Sequence, residues 1–289
     1  MRRSVRSFSA LALATSAALF LGACSGSADT SSESATSVTT QSGALETVTP
    51  GKLTIATGEP AYSPWVIDNA PESGEGFEAA VAYAVAEELG YSRENVQWTR
   101  ATFDSSITPG AKDWDINLQQ FSITDERKAA VDFSSPYYTT SQAIVAVEGS
   151  AAASAKSIAE LKDVQFGVQA GTTSQQFITN TLGDQLSKQA SIYNNSDDTL
   201  AALQNGQVDA IVVDLPTAFY MTGAQIDNGV IVGQFEATSN GDDFGIVLPK
   251  GSKLTAAVTA AVDSLRDKGT LSKLQSKWLS DTVAVPLIK

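Results

Sequence analysis

Short apolar runs of strand character alternate with longer helical runs along residues 52–279, and no other feature narrows the fold as much. Lys52-Leu53-Thr54-Ile55-Ala56-Thr57, following Pro50-Gly51, reads as a first strand. Residues 77–89 form an apolar helical face closed by Gly90. Residues 95–99, 114–118 and 143–147 read as further strands. A second set follows: strand 164–169, a helix from about Thr173, strand 208–213 ending at Asp214, and helix 215–221. Strand 244–248 and helices 254–268 and 271–279 complete the series. Strands alternating with helices predict an α/β fold. Polar stretches at 139–142 and 238–243 mark two places where the chain can cross between lobes. Two crossings make the first lobe discontinuous, built from the start and the end of the chain. A ligand then belongs in the crevice between lobes, at strand ends.

The first residues read as a processing signal rather than as fold. Arg2, Arg3 and Arg6 precede an apolar run, 10–21, that is too short for a mature membrane span. It leads into Leu21-Gly22-Ala23-Cys24, which resembles the lipobox of bacterial lipoproteins. That resemblance implies cleavage before Cys24 and a palmitate-bearing lipid anchor on its thiol; an ordinary signal peptide with an unrelated cysteine is the plainer alternative. Residues 1–23 are therefore expected to be a signal peptide. Residues 24–45, rich in Ser, Thr and Ala, are expected to be the lipidated cysteine and a flexible linker. The expected location is outside the cytoplasmic membrane, held to it by lipid.

Cys24 is the only cysteine, so no disulfide can form within the chain and the fold must rest on its core. About 240 residues remain for that core, enough for two modest lobes. With 32 acidic against 19 basic residues, the chain cannot hold nucleic acid by charge. It has no histidine, which removes Ser-His-Asp triads, Cys–His pairs and histidine-based metal sites. Neither a Gly-rich phosphate loop nor a calcium-loop pattern is found, so no metal and no cofactor are expected.

The block Phe121-Ser122-Ile123-Thr124-Asp125-Glu126-Arg127 carries the most chemistry. Thr124 can cap a short helix, with Asp125 and Glu126 in its first turn. Arg127 then projects beside backbone N–H groups without intrahelical partners, an arrangement that can receive a carboxylate. A surface helix whose arginine pairs with its own acids is the bland alternative. Gly171-Thr172-Thr173 follows a strand and opens a helix, so its N–H groups and hydroxyls favour an anion. Asp214, at a strand end, can hold an ammonium, or can cap the helix after it.

The ordered motifs resemble a known family. They are Gly76-Phe77-Glu78, Phe103-Asp104, the Ser-Ile-Thr-x-x-Arg block, and Asp132-Phe133-Ser134 with Pro136-Tyr137. Gly167-Val168 with Gly171-Thr172-Thr173, Val208-Asp209-Ala210 with Asp214, and Lys277-Trp278 follow in the same order. Together they are similar to the extracytoplasmic solute-binding proteins of polar amino-acid ABC importers, solute-binding protein family 3. The resemblance implies a two-lobed periplasmic-binding-protein type 2 fold that closes on a free amino acid about a hinge of two crossovers. Lobe 1 would comprise residues 46–140 plus 244–289, and lobe 2 residues 141–243.

By the same resemblance Arg127 grips the ligand α-carboxylate, with Ser122 and, from the other lobe, Thr173 beside Thr172. Asp214 takes the α-ammonium, and Tyr62 and Phe103 flank the ligand side chain. Glu59 sits where basic and amide side chains are read. The chain departs from the family pattern at Gln119-Gln120, at Ala79-Ala80 and at Trp65. Gln120 is therefore an additional candidate ligand contact. The implied partners are a polar or basic amino acid and an ABC permease, with the protein a monomer and not an enzyme. A lyase or dehydratase on the same fold, with Glu59 as general acid, and a sensor unconnected to an importer are the alternatives.

Overall fold

The computed structural model describes residues 45–236, 242–279 and 284–289. The expected signal peptide, Cys24 and all but the last residue of the expected linker lie outside them.

The first half of the chain runs β1 (Leu53–Thr57), α1 (Phe77–Glu88), β2 (Val96–Arg100), α2 (Phe103–Ile107), β3 (Ile116–Asn117), α3 (Asp125–Ala130) and β4 (Val131–Thr140). Then come β5 (Gln142–Val147), β6 (Phe166–Gln169), α4 (Thr173–Gln176), β7 (Ser191–Tyr193), α5 (Ser196–Gln204), β8 (Ala210–Asp214), α6 (Leu215–Tyr220) and β9 (Gly229–Phe235). The chain ends with β10 (Asp242–Pro249), α7 (Thr255–Asp267), α8 (Thr270–Trp278) and β11 (Leu287–Ile288).

The strands form two sheets. One has the order β2-β1-β3-β10-β4, the other β11-β9-β5-β8-β6-β7. In the first sheet β1 runs parallel to β2 and β3, and β10 is antiparallel to β3 and β4. In the second, β6 runs parallel to β7 and β8 while β5 is antiparallel to β8 and β9. The three parallel strands of each sheet end on the same side, so the loops after them converge.

Burial explains these placements. All five residues of β1 are buried, as a strand covered on both faces requires. One face of the first sheet packs against α1, α7 and α8 through Phe77, Val81, Val258, Val262 and Leu271. The other face holds Ala56, Trp114, Phe121, Val131 and Val247. The second sheet has its own two cores, around Phe166 and Val212 on one side and Val145 and Ile211 on the other. Helix α1 starts at Gly76, whose φ is 102° and where a Cβ would stand 2.5 Å from the Trp65 carbonyl oxygen. Only glycine fits there.

β4 is a strand the sequence pattern does not announce, because Pro136 interrupts it. Its place at the sheet edge, beside register shifts at Gly245, accommodates the proline. β4 and β5 are separated by Ser141 alone, and Thr140 pairs with Asp242 at the start of β10. The first expected crossing thus lies beside Asp242 and Asp243, the end of the second; residues 238–241 of the second lie outside the described residues.

The expected division of the chain needs one correction. Residues 244–289 were assigned entirely to the first lobe, yet β11 pairs parallel with β9 of the second sheet. The reason is a matched surface: Gly233 leaves space that Ile288 fills, since a Cβ there would stand 2.5 Å from Ile288 Cγ1. Ile288 is 3% exposed, and the Ile158 amide donates to the Lys289 carbonyl at 3.0 Å. Ile288→Ala should destabilise the protein by about 2–5 kcal/mol, the usual range for emptying a buried isoleucine site. Chemical denaturation measures this; an unchanged midpoint would show that the terminal strand carries no stability.

Candidate functional site

The converging loops wall a cavity between the two sheets. From the first sheet, the segment after β1 contributes Tyr62 and Trp65, that after β2 contributes Phe103, and that after β3 contributes Gln119, Gln120, Ser122 and Arg127. From the second, β8 ends in Asp214, Thr172 and Thr173 follow β6, and Ser196 and Asp197 follow β7.

Arg127 lies in the first turn of α3, and the Thr124 hydroxyl accepts from its amide at 3.1 Å, the cap its sequence suggests. Its side chain points inward and the residue is 6% exposed. Nη1 donates to the Ser122 carbonyl at 2.7 Å, and Nη2 donates to the Gly171 carbonyl at 2.9 Å. The guanidinium carbon lies 5.3 Å from the Phe103 ring centre, within cation–π range. Arg127 does not pair with its own acids: Asp125 meets Lys128, and Glu126 accepts from Gln176. Burial lowers the Arg127 pKa to about 10, with Asp242, Asp214 and Glu126 opposing, so it remains a cation at neutral pH. Three of its five donors are left for other acceptors.

The hydroxyls beside it come from both lobes. Ser122 Oγ and Thr173 Oγ1 stand 3.3 Å apart. Thr172 caps α4 by accepting from the Gln175 amide at 3.1 Å. α3 is six residues long, and α4 runs on without a break into a π-helical turn, Phe177–Thr181.

Asp214 is the N-cap of α6 by position, but its side chain makes no capping hydrogen bond. It turns instead to Gln142, whose Nε2 donates to Asp214 Oδ1 at 2.9 Å and to Asp242 Oδ2 at 2.7 Å. Gln142 also accepts from Ser174 Oγ at 2.5 Å. Burial, then the charge of Asp242, raises the Asp214 pKa to about 8, against Gln142 and Arg127, which lower it. No ion pair within 4.0 Å joins Asp214 to Arg127 among the described residues. An arginine and an acid thus line one cavity without forming an ion pair.

The aromatic candidates line the cavity too. Phe103 packs on Phe121 with ring centres 4.9 Å apart. The Tyr62 hydroxyl is buried without a hydrogen-bond partner, and burial, then the charge of Asp197, raises its pKa to about 12. Gln120 lines the wall with a φ of 51°, but its amide group turns away. Its backbone N–H donates to Glu78 at 2.7 Å, and its Nε2 donates to the same carboxylate. Tyr137 donates to Glu78 as well. Glu78 is 1% exposed, and burial outweighs these three donors to raise its pKa to about 7.

Glu59 is the candidate that does not join the others. It is absent from the cavity wall; its side chain is 58% exposed and sits 3.8 Å from Arg100 Nε. Arg100 is anchored on the outer surface by the Gly58 carbonyl and by Asn69, and it holds the acid outside. Sequence reasoning missed Gln142, hidden at the start of an apolar strand, and Asp197, indistinguishable from an ordinary acid in a helical first turn. It also missed the bond from Trp65 Nε1 to Thr217 Oγ1 at 3.0 Å, which ties the lobes together. No group of three or more His, Cys, Asp or Glu among the described residues is placed to hold a metal.

Known proteins share this arrangement of elements. The model of the family described as bacterial extracellular solute-binding proteins, family 3, matches residues 53–281. An L-arginine-binding protein of Pseudomonas aeruginosa is 31% identical over 229 residues, covering 77% of this chain and 86% of its own. An arginine-binding periplasmic protein of Mannheimia haemolytica is 31% identical over 228 residues, with 76% and 89% covered. The solved structure of an ancestral arginine-binding protein bound to arginine matches with a TM-score of 0.66 at 31% identity, over 79% of this chain and 98% of that one.

The raised pKa of Asp214 sets a pH dependence. Below its unfolded value of 3.8 both states are protonated and the residue costs nothing; as pH rises toward about 8 the folded state resists ionisation and stability is lost. Asp214→Asn removes that cost. Without ligand, the variant should melt several degrees above the wild type near pH 8, and the gap should close toward pH 4. A gap independent of pH in thermal unfolding would contradict the assignment.

Proposed function

The chain belongs to the bacterial extracellular solute-binding proteins of family 3, and from that premise we propose that it captures a free polar or basic amino acid outside the cytoplasmic membrane and delivers it to an ABC permease. One observation carries this reading: a buried arginine and a carboxylate line the same interlobe cavity without an ion pair between them. A zwitterion with one anionic and one cationic group matches that pair.

Arg127 holds the α-carboxylate in its free donors, joined by the hydroxyls of Ser122, Thr172 and Thr173. Asp214 holds the α-ammonium, and Gln142 keeps its carboxylate in place. Phe103 and Tyr62 flank the side chain, and Gln120 contributes wall rather than a hydrogen-bonding amide. Binding proceeds by closure about the paired crossings at Ser141 and Asp242. The contacts from Arg127 to Gly171, from Ser122 to Thr173 and from Trp65 to Thr217 latch the closed form. The relatives reported above are named as binding proteins, which favours this reading over a lyase on the same fold.

The proposal extends to the chain's start. Cys24 carries the lipid, palmitate included, that keeps the mature protein at the membrane as a monomer beside its permease. Among the described residues no helix is long and apolar enough to cross a membrane.

Removing one partner of a desolvated charge pair costs about 2–5 kcal/mol. At about 1.4 kcal/mol per decade, Arg127→Ala should weaken amino-acid binding roughly thirtyfold or more in calorimetry. An affinity like that of the wild type would remove Arg127 from carboxylate recognition.

A further inference from the structure

The charges in the cavity wall do not balance, and the imbalance points to the ligand's side chain. The acidic and basic side chains of the wall are those of Arg127, Asp214 and Asp197. On the reading proposed above, Arg127 answers an α-carboxylate and Asp214 an α-ammonium. Asp197 is then left over, and its charge is negative. We propose that Asp197 is the specificity-determining residue of this site, receiving a ligand side chain that ends in a cation.

Its position fits that role. Asp214 and Asp197 stand at the same side of the second sheet, after strands β8 and β7, with β6 between them. Neighbouring strands are about 4.8 Å apart, so the ends of β8 and β7 lie on the order of 10 Å apart across the sheet, with Asp214 closing β8 and Asp197 in the first turn of α5 beyond β7. A ligand anchored at Asp214 reaches that far with a long side chain and not with a short one. The Thr172–Thr173 turn after β6 lies on the way.

The surroundings are prepared for a polar group. Tyr62 comes from the opposite lobe and places its buried hydroxyl against the Ser196 and Asp197 amides at the start of α5 without a well-formed hydrogen bond. Gln119 Oε1 is a second buried, unpartnered acceptor in the same wall. A guanidinium or ammonium supplies donors to both; a carboxylate supplies none. Asp197 itself is exposed, and its side chain makes no hydrogen bond or ion pair among the described residues. Its neighbour Asp198 does the local structural work, accepting from the Asn195 side chain at 3.0 Å. A role as a helix-start acid is thus already filled beside it. Glu59, the acid that the sequence favours for reading a basic ligand, faces Arg100 outside the cavity.

Calorimetry with L-arginine and its neutral near-isostere L-citrulline isolates the charge. The wild-type chain should prefer arginine by about tenfold or more, as a charge pair partly shielded from water provides. Asp197→Asn should bring the two ligands to near parity while citrulline affinity holds within about threefold. Glu59→Gln should keep the full preference. An Asp197→Asn variant that retains the arginine preference overturns this assignment and leaves the amino-acid reading intact. A wild-type protein that binds neither ligand, nor any other free amino acid, overturns both.

Discussion

A buried guanidinium without an acidic partner governs this structure. Arg127 spends two donors on carbonyls, one in each lobe, and so ties the closed form together while remaining electrically unsatisfied. Carbonyl dipoles and the Phe103 ring ease the cost of burying the charge but do not cancel it. Its free donors and its charge both favour an anion in the cavity. On the proposed reading, closure and ligand capture meet at this one residue.

The acids answer this charge by staying apart from it. Asp214 and Glu78 are both shifted upward, to about 8 and about 7, and burial is the leading cause in each. Glu78 serves geometry: its carboxylate holds the Gln120 backbone in the left-handed region, a conformation a non-glycine residue seldom takes without such help. This shapes the wall between Gln119 and Ser122. Asp214 accepts from Gln142, which shares a second bond with Asp242 at the crossing between lobes; on the proposed reading this aligns Asp214 for binding. The site and the hinge are thus joined by one amide side chain. On the proposed reading, the order of the parallel strands spreads recognition across the sheet, with backbone groups of the ligand at β8 and β6 and its side chain toward β7.

Much of this was legible in the chain. Arg127, Thr124 and the Gly171-Thr172-Thr173 turn declare themselves through local rules of capping and donor geometry, which need no tertiary knowledge. The two sheets follow from alternating apolar periods. What stayed hidden depends on long-range packing. Glu59 is only three residues from Tyr62, but that spacing does not say which way each side chain turns; Arg100 on β2 decides it. Gln142 looks like the polar start of a buried strand until β5 is set against β8. Asp197 looks like any helix-start acid until Tyr62 arrives from the other lobe. Gly233 looks like a loop glycine until Ile288 closes over it.

The central claim is that an amino acid completes the pair formed by Arg127 and Asp214. Proton exchange on binding tests it most directly. Near pH 7 a carboxyl with a pKa of about 8 is mostly protonated, and it must ionise to hold an ammonium. Calorimetric titrations with L-arginine near pH 7, in buffers of different ionisation enthalpy, should show release of most of one proton. The release should fade as pH passes about 8, and affinity should rise with pH up to that point, beyond which deprotonation of the ligand's own ammonium opposes binding. Binding without proton release near pH 7, at an affinity indifferent to pH, would contradict the account.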